Sequence, residues 1–195
     1  MMEIDLKDRV PLTAEELARF KPDIRRFHHV AYKCRDAEEA RHFYEDIMGL
    51  EFVAAFTDVL PRSRLDPRPV PYMHVFFATS SGECIAFFDI ADGRAPAFDP
   101  DTPAFVQHIA MEMPDETSLL AMKDRLEAAG VKVDYYKDHE FCRSIYFCDP
   151  NGHRLELSWN TKQADAFWVR EKAAARSALK VWSAQKPRAG GTAIA

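Results

Sequence analysis

No apolar run in this 195-residue chain approaches the roughly 20 residues needed to cross a bilayer, and each is soon broken by charge. Positive charge is not in excess either, with 26 Lys and Arg against 31 Asp and Glu and a formal net charge of −5. Such a chain lacks the field that non-specific nucleic-acid binding requires, so neither nucleic acid nor membrane is an expected partner. Cysteine is sparse. The four present (Cys34, Cys84, Cys142, Cys148) show no CxxC spacing, and three sit in strand-like apolar runs. That pattern fits free thiols in a reducing compartment better than a disulfide framework. The first residues, MMEIDLKDRV, are charged and contain no apolar stretch, so no secretory leader is expected and a cytoplasmic protein is. Apolar material is ample. A hydrophobic content of 47%, with 14 Phe, 6 Tyr and 3 Trp, fills the core of one domain or of two small modules and excludes global disorder.

An internal repeat organises the chain. His29-Val-Ala-Tyr-Lys-Cys-Arg-Asp36 is echoed by His108-Ile-Ala-Met-Glu-Met-Pro-Asp115, with Asp seven residues after His in both. Each copy continues into a helical stretch ending at glycine: Ala37 to Met48 before Gly49, and Glu116 to Ala129 before Gly130. Asp36 and Asp115 read as N-caps and the glycines as C-caps. A short strand follows each, Leu50 to Val53 and Val131 to Val133. Two hairpins then match: His74–Ala78 and Cys84–Phe88 around Ser80-Ser-Gly82, and Ser144–Cys148 and Arg154–Trp159 around Asp149-Pro-Asn-Gly152.

The expected fold is therefore α+β, with two pseudo-symmetric βαβββ modules at residues 26–90 and 104–160 joined by a polar, Pro-rich linker at 91–103. Residues 1–25 form an N-terminal extension with a capping-box pattern at Thr13 to Phe20. Residues 161–195 hold an Ala-rich helix with Phe167, Trp168 and Trp182, then a loose tail. The Pro-rich stretch from Asp58 to Pro71 is expected to be an extended loop.

On the last strand, Arg154, Glu156 and Ser158 share one face, and Leu155, Leu157 and Trp159 the other. A carboxylate placed between leucines is costly to bury unpaired. If the copies pack as symmetric partners, His29 and His108 are equivalent, and Glu156 completes a set of three metal ligands. Two imidazoles and a carboxylate leave coordination positions open for substrate and O₂, the arrangement of non-haem Fe(II) oxygenases. Fe(II) is the expected ion, and Mn, Zn, Ni and Co suit the same donors. Aligning the hairpins on Gly82 and Gly152 puts Ala86 where the second copy has Glu156, so three protein ligands are expected rather than four.

Over residues 26–160 the chain resembles the vicinal oxygen chelate superfamily of glyoxalases, epimerases, bleomycin-resistance proteins and type I extradiol dioxygenases. The likeness rests on His29-Val-Ala with Phe43-Tyr44 and Gly49-Leu50, on His108-Ile-Ala with Ala129-Gly130, and on Tyr146-Phe-Cys-Asp-Pro-Asn-Gly-His-Arg-Leu-Glu156. It implies paired modules forming an incomplete barrel around a divalent metal held by His29, His108 and Glu156. The segment His139 to Glu156 is similar to the ring-cleaving extradiol motif, through His139, Ile145-Tyr146, Asp149-Pro150, Gly152 and Glu156. That similarity implies that His139 and Tyr146 hydrogen-bond a metal-bound catecholate. The acid–base histidine of such enzymes has its nearest counterpart in His74, with Glu83 falling near the family's usual place.

The expected activity is thus extradiol-type cleavage of a small aromatic diol by O₂, with a homodimer expected on base rates. A lyase, isomerase or epimerase of the glyoxalase type is the alternative enzyme, and it would want a fourth protein ligand at Ala86. A metal-free module binding a flat ligand is the non-enzymatic alternative.

Overall fold

The structure is a computed structural model that describes residues 10–60, 69–94, 96–98, 102–103 and 105–185. The chain divides into two compact units. One comprises residues up to 101 together with 149–152, and the other comprises 102–148 and 153–195.

The first unit contains α1 (Ala14–Arg19), β1 (His29–Cys34), α2 (Ala37–Arg41), β2 (Glu51–Leu60), β3 (Val70–Ala78) and β4 (Cys84–Ile90). Its strands order β1-β4-β3-β2, with β1 parallel to β4 and the other pairs antiparallel. The second unit contains β5 (Ile109–Glu112), α3 (Glu116–Ala128), β6 (Val133–Asp138), β7 (Cys142–Cys148), β8 (Arg154–Asn160) and α4 (Ala164–Gln185). Its strands order β5-β8-β7-β6 with the same pattern of directions. Two open, four-stranded mixed sheets of identical order are the βαβββ modules of the repeat.

The caps follow from local chemistry. The Asp36 carboxylate accepts from the Glu39 amide at 2.7 Å and that of Asp115 from the Ser118 amide at 2.6 Å. Both satisfy first-turn amides that have no intrahelical partner. Thr13 and Glu16 cap α1 reciprocally.

Three element bounds differ from expectation. The helix read as Ala37 to Met48 is α-helical only to Arg41 and then π-helical over His42–Ile47. The wider turn, closed by the Met48 amide donating to the Phe43 carbonyl, sets two successive aromatics, Phe43 and Tyr44, into the core. Strand β2 runs past Val53, where the pairing is interrupted by a bulge, to Leu60, because Phe56, Thr57 and Val59 suit a pleated surface and pair with β3 as far as Leu60 and Val70. Asp58–Leu60 and Val70–Pro71, read as loop, are therefore strand, and residues 61–68 of that loop lie outside the described residues. Strand β6 begins at Val133 rather than Val131 and runs on to Asp138, the residue before His139.

Each sheet buries one face under its helices. In the first unit Tyr44 stacks near Phe77 and Phe87 at 5.3 and 4.8 Å between ring centres, and all three are at most 0% exposed. In the second, Leu119 and Leu126 of α3, two helical turns apart, lie fully buried with Ile145, Phe147 and Leu155. Each such side chain contributes roughly 1.5–3 kcal/mol. The opposite sheet faces carry the polar and aromatic residues considered next.

The Asp149–Gly152 turn has Gly152 at φ +91°, a region open to glycine, and its amide donates to the Asp149 carbonyl at 3.0 Å. The turn is held in the first unit by the Tyr44 hydroxyl, which donates to buried Asp149 at 3.0 Å, and by the Arg35 amide, which donates to Asn151. Tyr44→Phe removes a donor from a buried carboxylate and should cost about 2 kcal/mol, read as a lower urea midpoint at unchanged slope.

All four cysteines are free, with Cys34 and Cys142 buried and Cys148 exposed. Burial, with Asp89 nearby, pushes the Cys34 thiol up to about 12. Among the described residues no helix is long and apolar enough to cross a membrane.

Candidate active site

In the second unit the pleat does most of the positioning. Glu156 sits at the third residue of β8, opposite Tyr146 on β7 and Ala110 on β5. Residues of like parity on neighbouring strands share a face, so Ser144, Tyr146, Arg154, Glu156 and Ser158 gather on one side.

Glu156 is 6% exposed, and both carboxylate oxygens are engaged. The Tyr146 hydroxyl donates to Oε1 at 2.9 Å, and His108 Nε2 lies 3.0 Å from Oε2. His108 Nδ1 is 3.2 Å from the Phe105 carbonyl, which can only accept, so Nδ1 carries a proton and Nε2 is the nitrogen turned to Glu156. A histidine anchored through one nitrogen to a backbone carbonyl is the usual support of a metal ligand.

His139 continues the chain of contacts. Its Nε2 is 2.9 Å from the Tyr146 hydroxyl oxygen. That hydroxyl has one proton and gives it to Glu156, so His139 Nε2 is the donor. The result is a directed relay, His139 N–H to Tyr146 O–H to Glu156. Burial, reinforced by the Glu156 carboxylate, raises the Tyr146 hydroxyl above its ordinary value and keeps it a neutral donor.

The Glu156 and His108 donors fit a divalent metal. Two neighbouring donors each bonded to an ion at about 2.1 Å and at right angles lie about 3.0 Å apart. These two atoms already have that separation, and a buried carboxylate is stabilised by a cation beside it. The set is two donors, not three. Among the described residues no three His, Cys, Asp or Glu side chains are gathered for an ion, and His29 belongs to the other unit.

The first unit carries His29 at the start of β1, with an aromatic group on the same sheet. His74 stacks on Phe88 at 3.7 Å between ring centres and lies 4.3 Å from Phe76 and 5.2 Å from Phe56. His29 meets the edge of Phe76 at 5.5 Å. His74 is 5% exposed, and its Nδ1 lies 3.0 Å from the Phe87 carbonyl, so Nδ1 holds the proton and neutral Nε2 keeps its lone pair. Burial lowers the His74 pKa, more than the Phe87 bond raises it. A depressed histidine adds stability above its unfolded value near 6.5 and loses it as pH falls below that. His74→Phe should therefore flatten the acid limb of stability below about pH 6.5 relative to wild type, measured by urea unfolding at each pH.

The register also tests the alignment of the two copies. Ala31 pairs with Ala86 on β4 as Ala110 pairs with Glu156 on β8, and in each unit the histidine lies two residues before that alanine. Ala86 is thus the counterpart of Glu156, and Phe76 that of Tyr146. Glu83 belongs to the hairpin turn, accepting from Ser81 and Thr79 with Arg26 alongside.

Two further residues contribute to these surroundings. His28 places Nδ1 2.7 Å from His29 Nδ1, which leaves His29 Nε2 as the outward nitrogen; the only sequence signal is the His-His pair itself. Arg154 lies beside the rings of Tyr146 and Tyr135, 5.2 and 5.3 Å from their centres, and bonds Asp134 and the Tyr135 hydroxyl, while its buried Nε has no partner among the described residues. Its signal was its alternation with Glu156. His153 is buried, 8% exposed, whereas His42 is exposed and paired with Asp46.

Residues 26–157 match the family described as the Glyoxalase/Bleomycin resistance protein/Dioxygenase superfamily. Among solved structures, a mutant of the fosfomycin resistance protein FosX from Listeria monocytogenes, complexed with Mn(II) and 1S,2S-dihydroxypropylphosphonic acid, is 20% identical. The match covers 74% of this chain and 99% of that one at a TM-score of 0.54. A glyoxalase/dioxygenase from Nostoc punctiforme is 20% identical over 79% of this chain and 99% of that one, at 0.53. Both likenesses are of fold. No curated protein matches the chain.

Proposed function

The chain belongs to the glyoxalase/bleomycin resistance protein/dioxygenase superfamily, and on that premise we propose that it is an Fe(II)-dependent, extradiol-type dioxygenase acting on a catechol-like diol with O₂. The observation that carries this reading is the relay in which His139 donates to Tyr146 and Tyr146 to Glu156. A hydroxyl and an imidazole fixed beside a ligand carboxylate are what a substrate bound through two adjacent oxygens needs for orientation.

His108 and Glu156 would hold the metal, and His29 is assigned as third ligand because it is the repeat counterpart of His108. Bound Fe(II) supplies a Lewis acid and a template for the diol oxygens and O₂. The chain supplies the rest. His74, neutral with a lone pair on Nε2, is suited to take the second catechol proton. His139, whose Nε2 already carries a proton, is suited to give one. Phe56, Phe76 and Phe88 offer flat apolar surface for an aromatic ring. Ala86, at the place of a fourth ligand, supports this reading over lyase or isomerase chemistry.

The test is anaerobic loading with Fe(II), then a panel of catechols with O₂. Stoichiometric O₂ uptake with a yellow ring-opened product is expected. Absence of both signals from iron-loaded protein would overturn the dioxygenase reading, and ligand binding that survives in metal-free Glu156→Gln would favour a binding module.

A further inference from the structure

We propose that α4 is the dimerisation element of this protein, pairing antiparallel with the α4 of a second copy. After its first turn the helix is exposed as far as Trp182. Its root is fixed. Phe167 stacks on Phe141 at 4.1 Å, Trp168 meets Phe141 edge-on at 5.0 Å, and the Thr161 hydroxyl donates to the Glu140 carbonyl just before the helix. Beyond that anchor its side chains stay exposed as far as Trp182 among the described residues.

The exposed surface is two-faced. Over residues 168–182, at 100° per residue, Val181, Ala174, Ala178, Trp182, Ala175, Trp168 and Leu179 fall in a sector of roughly 160°, interrupted within that span by Glu171 and continuous with the anchored Phe167. Lys172, Arg176, Lys180 and Arg170 lie outside it. Trp168, Leu179, Val181 and Trp182 are 54%, 64%, 54% and 61% exposed. A lone helix of this kind gains little from propensity and is stabilised by burying such a face.

The stripe is self-complementary. Trp168 and Trp182 each stand seven residues, about two turns, from Ala175. A two-fold axis at Ala175 brings small residues together at the crossing and sets Trp168 of each copy beside Trp182 of the other, as an isologous interface requires. Both cationic faces then remain in water. The exposed parts of these residues offer on the order of 600 Å² per copy, the lower edge of what specific pairs bury.

The test is the solution mass of the full-length chain from about 1 to 100 μM, beside Ala175→Glu and Ala175→Cys. Wild type should have twice 22.3 kDa. Ala175→Glu, a surface change that should leave the circular dichroism intact, should weaken pairing at least tenfold. Ala175→Cys should give a covalent pair on oxidation that wild type, with its own four cysteines, does not. A monomer throughout, or a pair that persists unchanged in Ala175→Glu, overturns the proposal. So does a monomer that co-sediments with phosphatidylserine vesicles, which would make the stripe a lipid-facing surface.

Discussion

Glu156→Gln should abolish the thermal stabilisation that Fe(II), Mn(II) or Co(II) confers and lower kcat/KM by on the order of 10³, about 4 kcal/mol. Glutamine keeps the volume and can still accept from Tyr146, so the unloaded fold should survive. What disappears is the charge, in a position 6% exposed and flanked by His108 and Tyr146. Wild type in a hundredfold excess of metal over Kd gains about 2.7 kcal/mol, or roughly 5–10 °C. The variant should gain under 1 °C. A variant that keeps the full shift would show that the ion is held elsewhere, and would withdraw Glu156 and its pairing with His108 from the metal assignment together.

Tyr146→Phe should leave metal affinity within a few-fold of wild type and reduce kcat by about 10², because the phenol acts between groups that remain. It also leaves one buried oxygen of Glu156 without a donor, which costs about 1–3 kcal/mol of stability. His139→Gln should be milder, and the two changes together should be no worse than Tyr146→Phe alone. His139 reaches Glu156 only through that hydroxyl, so a double-mutant cycle should show strong coupling. Additive losses would mean that His139 acts on substrate by a separate route.

The parts of the molecule that were legible in the chain are those whose causes are local. An aspartate accepting from an amide three residues on, a glycine at positive φ after a helix and an Asp-Pro-Asn-Gly turn are each decided within a few residues. The strand parity that sets Glu156 beside Arg154 and Ser158 follows from the pleat alone. Where competing local choices were close in energy, reading failed. The π-helical turn at His42–Ile47 and the strand extension to Leu60 are settled by burying Phe43 and Tyr44 and by pairing with β3, neither of which a segment reveals by itself.

By itself the sequence determined the repeat, the α+β class and the two hairpins, because periodicity and caps are local and duplicated positions align. Tertiary structure alone decided which proton goes where. The Phe105 and Phe87 carbonyls set the tautomers of His108 and His74, and Tyr146 orients His139 toward Glu156, through contacts spanning up to 13 residues. Hydrogen-bond direction depends on which acceptor lies within about 3 Å, and that distance exists only once strand register has brought the partners together.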